Sequence, residues 1–263
     1  MSENQMQDAI VEVLKERSKD IYDDGLKPVT KESGEALQAI VGLFNNVVLY
    51  PIKKANITFK YKLEQFEQDL WRKIATIPAE KLIEPPLNIA GPTIEALKYT
   101  FDTQELREMY MNLISSSMSS DTVIFSHPGY VEIIKQMSQL DAIVFKNMSK
   151  LNSIPCSRIQ IGFGDKIFSF AIPKIFAPDI NEDYDPFLIS SSLENLCRLG
   201  LITHRETSSI IGYDYKKLVD HKFIQNQFEL LKKYNPELSL YIKSTEEVLL
   251  INDFGQNFAK TCL

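Results

Sequence analysis

Through the first 150 residues, apolar positions recur every three or four places, the spacing of helices that bury one face. Between Glu32 and Leu49, the residues Leu37, Ile40, Val41, Phe44, Val47 and Val48 share one helical stripe. Tyr50-Pro51 stops it, because proline disfavours the helical conformation of the residue before it. Met6, Ile10 and Leu14 predict an earlier polar amphipathic helix over 4–20, broken at Asp23-Asp24-Gly25. A third helix carries Phe59, Leu63, Phe66, Leu70 and Ile74 on its core face, with Asp69 and Lys73 spaced for an i,i+4 pair.

Further helices are predicted up to about Leu151. One uses Pro85 or Pro86 near its first turn, where a missing N–H costs little. Another begins at Asp102 and runs through Leu106, Met109, Tyr110, Leu113 and Ile114. A third begins at Pro128 with Tyr130, Ile133, Ile134 and Met137 inward. The last begins at Ser138, with Asp141 three residues on in a capping-box-like spacing.

After about Asn152 the period changes. Arg158 to Phe163 and Lys166 to Ala171 alternate as strands do, with Gly164-Asp165 placed for a hairpin turn. A helix over Phe187–Leu199 ends in Gly200, a residue suited to a left-handed cap. Strands are predicted at 201–204, 210–215 and 248–251, a helix at 215–233 and a closing helix at 254–262. The expected fold is mainly α: a helical N-terminal domain (1–152) and a small α+β winged-helix-like domain (153–263).

The winged-helix expectation rests on Ser191 to Gly200 as the third helix, with wing strands after it. In nucleic-acid binders that helix enters the major groove. Here it offers only Asn195 and Arg198, with Glu194 opposing phosphate. The chain has 263 residues and a formal charge of −6, with 17 basic and 21 acidic residues up to Lys150 and 12 and 14 after it. Neither half supplies a field that draws phosphate backbones, so nucleic acid is not an expected partner.

No catalytic or metal-ligand set nominates itself, and no cofactor is expected. His127, His204 and His221 each stand alone in the sequence, and adjacent Asp220 points elsewhere on a helix than His221. Cys156, Cys197 and Cys262 are odd in number and far apart, which argues against a disulfide framework, and Cys197 reads as a small buried hydrophobe. The run Ser115-Ser116-Ser117 lacks a nucleophile-elbow context and reads as a frayed helix end. The polar, acidic N-terminus is unlike a signal peptide, and a reducing cytoplasm is expected.

Two blocks remain: Ile77 to Leu87, containing Leu82-Ile83-Glu84-Pro85-Pro86, and His127-Pro128 through Ala142. With Glu105 to Ser117, the Gly34–Pro51 helix and the Phe254–Cys262 end, they give the chain a resemblance to the abortive infection alpha (Abi-alpha) family. Gly129 and Gln139 depart from that pattern, standing where a serine-like residue and a proline are expected. The resemblance implies phage defence by abortive infection and supplies no catalytic residues.

Two mechanisms stay open beside it. One is a non-enzymatic sensing module that meets a protein partner or phage component. The other is a membrane-acting effector that releases the helix at 34–51 on activation; that stretch is too short and polar to span a bilayer. A winged-helix nucleic-acid regulator is a further alternative, and self-association is left open. The expected interaction surface is His127, Pro128, Tyr130, Asn195 and Arg198.

Overall fold

The computed structural model describes residues 38–43, 56–151, 153–168 and 172–263. The helix predicted over 4–20 and most of the one at 32–49 lie outside them. Residues 38–43 are helical, with Ile40 and Val41 buried as the stripe requires.

Helix α1 (Asn56–Ile74) buries Phe66, Leu70 and Ile74, the predicted face. Its Asp69 does not pair with Lys73. Arg72 donates to Asp69 at 2.8 Å, and Lys73 turns instead to Asn112 at 2.5 Å. Three residues on a helix are as close as four, and Lys73 gains a longer-range acceptor.

Helix α2 (Leu87–Thr100) starts directly after Pro86. Helix α3 (Gln104–Ser117) takes Thr103 as its cap, one residue later than the predicted Asp102, which is held by Lys62. Helix α4 (Gly129–Lys135) follows Pro128. Helix α5 (Gln139–Met148) forms a complete capping box, Asp141 N–H to Ser138 Oγ and Ser138 N–H to Asp141 Oδ2.

The serine run at the end of α3 is not frayed. Ser117 is fully buried and bonds back to Ile114, while Ser116 Oγ donates to the Thr261 carbonyl at 3.1 Å. Asn112 Nδ2 donates to the Cys262 carbonyl at 3.0 Å. Two polar side chains of α3 thus satisfy carbonyls at the end of a helix some 145 residues away, groups that the last helical turn leaves without partners.

Strand β1 (Ile154–Phe163) and β2 (Lys166–Phe168) form the predicted hairpin, with Gly164 at φ 53° in the turn. Helix α6 (Pro186–Arg198) ends in a Schellman motif. Leu201 N–H bonds the Leu196 carbonyl, Gly200 N–H bonds the Cys197 carbonyl, and Gly200 stands at φ 75°, where a side chain would be strained. Strand β3 (Ile202–Arg205) follows at once.

The predicted strand at 210–215 is absent. Its alternation of Ile210, Tyr213 and Tyr215 serves a loop interrupted by Gly212 at φ 84°, in which Tyr215 Oη donates to the Glu247 carbonyl and accepts from Ile210 N–H. The predicted helix at 215–233 is two: α7 (Lys216–Val219) and α8 (Lys222–Tyr234). The break falls at His221, whose extended backbone lets its imidazole cap α8 by accepting from Phe223 N–H.

Strand β4 (Tyr241–Ile251) is far longer than the four predicted residues, and α9 (Asp253–Cys262) closes the chain. The four strands form one antiparallel sheet in the order β2-β1-β4-β3.

Alternate residues of a strand face opposite sides, and this sheet is covered on each face at a different end. Ile154, Cys156, Leu249 and Ile202 join one core with Leu193, Leu196 and Phe258. Ile159 and Ile161, on the opposite face, join a second core with Tyr215, Leu218 and Ile224. The first core continues back to Ile40, so residues on both sides of 152 share it.

Helix α9 is the element that brings the chain end into the N-terminal helices. Phe258 is fully buried with its ring edge-on to Tyr130 at 5.1 Å and Phe145 at 5.5 Å. Gly255 lies so close to the Leu201 carbonyl that a Cβ there would stand 1.9 Å from it. Phe258→Ala is expected to cost about 3–5 kcal/mol. Urea unfolding followed by far-ultraviolet circular dichroism measures this, and a loss below about 1 kcal/mol contradicts the packing described.

Burial pushes the Tyr130 phenol up to about 12, assisted by the nearby Cys262, and burial raises Tyr110 as well. A raised folded-state value means that the native protein keeps a proton that the unfolded chain gives up. Stability present below pH ~10 is therefore lost as the pH rises from about 10 through 12, with Tyr130 contributing to the fall. Urea midpoints at pH 9 and pH 11.5 should show the fall, and Tyr130→Phe should make it shallower.

Candidate functional site

Of the surface predicted from sequence, His127 and Pro128 are exposed and Tyr130 is not: it is 2% exposed, under Phe258 and Phe254. His127 Nδ1 accepts from Gly129 N–H at 3.0 Å, turning the chain into α4. Asn195 and Arg198 lie on α6 and are both engaged within the chain. Asn195 donates to the Gln136 carbonyl at 3.1 Å and to Asp141 Oδ2 at 2.9 Å. Arg198 donates to Gln136 Oε1 at 2.9 Å and to Asn195 Oδ1 at 2.8 Å. Of the five, the structure leaves His127, Pro128 and Arg198 exposed, half-buries Asn195 and buries Tyr130.

The groups that the fold does bring together are others. Register pairs Cys156 of β1 with Glu247 of β4, and places His204 of β3 opposite Leu249, two residues along the same face. The Cys156 sulfur, a His204 ring nitrogen and a Glu247 oxygen all lie within 4.8 Å of one another. His204 Nε2 and Glu247 Oε2 are 2.6 Å apart. The histidine that stands alone in the sequence has a buried carboxylate and a thiol beside it in space.

Around them is a polar shell. Thr245 Oγ1 donates to Glu247 Oε1 at 2.8 Å, and Arg158 Nε stands 3.6 Å from the same oxygen. Arg158 reaches outward to Glu206 at 2.6 Å. The Arg158 Nε–H is itself buried without a hydrogen-bond partner. This is where the face of the sheet passes out of the first core: Glu247 is 1% exposed at its side chain, His204 10% and Arg158 32%.

Burial first, then the charge of Glu247 and the neighbouring Cys197, pushes the Cys156 thiol far up from its ordinary value. A neutral thiol with no exposure cannot act as a nucleophile toward an outside substrate. Cys197 is half-buried rather than buried, and its thiol is also raised, chiefly by burial. Sequence spacing hides the cluster, since its members are 43 and 48 residues apart. Only the alternation across Glu246-Glu247, together with strand register, distinguishes the inward carboxylate.

A cleft of about 420 Å³ lies apart from this cluster, between the Pro178–Pro186 connection and the start of α8, lined by Phe176, Tyr184, Ile189, His221, Phe223 and Asn226. The Phe176 and Phe223 rings stack at 6.0 Å, and His221 meets Phe176 edge-on at 5.2 Å. Among the described residues no helix is long and apolar enough to cross a membrane.

These features define a mainly helical protein with a small antiparallel sheet and a buried thiol–imidazole–carboxylate cluster. The family model of abortive infection alpha matches residues 58–262, and the chain belongs to that family. The match begins in α1 and ends in α9, so it includes the helices, the sheet and the cluster. No curated protein and no solved structure matches the chain. Family membership points to a role in abortive infection, a form of phage defence.

Removing the Glu247 carboxylate leaves His204 and Thr245 without their common hydrogen-bond partner and takes from Arg158 one of its two ion-pair partners. Glu247→Ala is expected to cost about 2–4 kcal/mol, below the ~3–5 kcal/mol of a fully buried pair because Arg158 reaches solvent. Glu247→Gln should cost less, since its carbonyl still accepts. Equal urea midpoints for wild type and the alanine variant would show that the cluster contributes nothing to the fold.

Proposed function

We propose that the protein acts in abortive infection as a non-enzymatic sensing and protein-interaction module. In this reading the helical unit passes near residue 152 into a winged-helix-like unit: β1, the short turn Pro178–Ile180, α6, β3 and β4. The sheet order β1-β4-β3 is the one such a frame uses, with its wing enlarged by α7 and α8.

The observation that carries the reading is the use made of α6. In a winged-helix reader of DNA this helix presents its polar side chains to the major groove. Here Ser192, Asn195 and Arg198 are spent on Asp141 and Gln136, and Glu194 is paired with Lys174. A helix whose donors face its own fold, on a chain of net charge −6, suits protein contact better than phosphate contact. The membrane-effector alternative requires release of a segment whose turn at 38–43 keeps Ile40 and Val41 buried, and that burial favours the interaction reading. His127, Pro128 and Arg198 remain the exposed part of the assigned surface.

Fluorescence anisotropy with labelled duplex DNA at physiological salt should give no binding tighter than about 1 μM, the tight end of ordinary non-specific association. Cells carrying the gene should plate fewer phage and die or arrest on infection, and His127→Asn, whose side-chain oxygen can still accept from Gly129 N–H, should lose protection while keeping a melting temperature near that of wild type. Tight DNA binding would favour the regulator instead. Equal plating with and without the gene across a broad phage panel sinks the defence reading.

A further inference from the structure

The three donors Cys156, His204 and Glu247 come from three adjacent strands, β1, β3 and β4, and meet where one face of the sheet leaves the core. We infer that they form a site for a divalent transition ion of the zinc type, which ties the three strands together.

The donor chemistry selects the ion. One sulfur, one imidazole nitrogen and one carboxylate oxygen make a mixed set that zinc accepts, whereas magnesium and calcium take oxygen and copper(I) takes soft sulfur ligands. Zinc stands about 2.3 Å from sulfur and about 2.0–2.2 Å from nitrogen or oxygen. Two ligands on one tetrahedral ion are then roughly 3.3–3.6 Å apart. The His204–Glu247 contact of 2.6 Å must open by roughly 0.7 Å, and no pair needs to close by more than about 1.2 Å, since all lie within 4.8 Å.

Charge and hydrogen bonding agree with a cation at this place. A zinc ion with one thiolate and one carboxylate is neutral, and the remaining cation, Arg158, is already balanced by Glu206 at 2.6 Å. On binding, the Cys156 thiol gives its proton to solvent and the sulfur bonds the ion, which removes the cost of a buried thiolate. Glu247 binds through Oε2, because Oε1 accepts from Thr245; this second contact holds the carboxylate in orientation, as the outer partners of metal ligands do. Three protein ligands leave a fourth position for water. The buried Arg158 Nε–H, which lacks an acceptor, is the donor such a water would meet.

The full chain, stripped with chelator and titrated with Zn²⁺ by calorimetry, should bind one ion. Co²⁺ in its place should give a thiolate-to-metal charge-transfer band. Cys156→Ser and His204→Gln should each abolish the band and weaken Zn²⁺ uptake by more than about 100-fold, the upper effect of losing an outer-shell partner. Cys197→Ser should leave both unchanged. At Zn²⁺ about 100 times its dissociation constant, the melting temperature should rise by roughly 5–10 °C. The wild-type cobalt spectrum does not depend on how the variants fold, and its lack of a charge-transfer band overturns the site. Undiminished zinc binding by folded Cys156→Ser overturns it equally. Both results are independent of whether the protein senses phage.

Discussion

The fold depends first on one buried carboxylate, that of Asp141, which is 4% exposed. It accepts from Ser138 N–H at 2.7 Å, from Ser192 Oγ at 2.6 Å and from Asn195 Nδ2 at 2.9 Å. A buried charge is tolerated only when hydrogen bonds replace its lost water, and here the replacements come from two elements 50 residues apart. The first fixes the start of α5, whose N-terminal dipole also favours the negative charge. The other two dock α6 against α5. Because α6 runs through Gly200 directly into β3, the same carboxylate sets where the sheet begins.

From that joint the remaining order follows. β3 pairs with the end of β4, β4 pairs with β1, and α9 turns back from β4 into the N-terminal helices. A sheet of four strands has two apolar faces to cover. The chain covers one with α6 and α9 at the Ile154–Cys156 end and the other with α7 and α8 at the Ile159–Ile161 end. The residues left at the changeover face neither core fully. Glu247, His204 and Arg158 occupy that strip beside Cys156, the last residue of β1 in the first core, which explains how groups of such different polarity come to be neighbours.

Local features were legible in the sequence and long-range ones were not. The α1 stripe, the proline-led starts of α2 and α4, the Ser138–Asp141 capping box and the Gly200 cap each rest on residues within one or two turns, so spacing alone reveals them. The first half of β4 was invisible because Tyr241 to Glu246 are mostly polar and solvent-facing, and its pairing with β1 supplies the reason for a strand. The break at His221 was missed because Asp220-His221 interrupts no apolar period. The cap is made by an imidazole, outside the usual Ser, Thr, Asp and Asn. The bonds of Asn195 and Arg198 within the fold were not legible, because nothing in the sequence shows that Gln136 and Asp141 lie across from them.

The same distinction separates the two places where function can reside. His127-Pro128 is a local motif, exposed, and lies within the residues that the family model matches. The Cys156–His204–Glu247 cluster is assembled only by register. Its sulfur is fully buried, and its members reach one another only through the strands that hold them. A one-residue slip of β4 against β1 would exchange Glu247 for Glu246 or Val248 on this face. Such a slip would leave His204 and Arg158 facing either no charge or a misplaced one. The cluster therefore specifies register in the strip where neither hydrophobic core can do so, and it keeps the sheet in the position that Asp141 gives it.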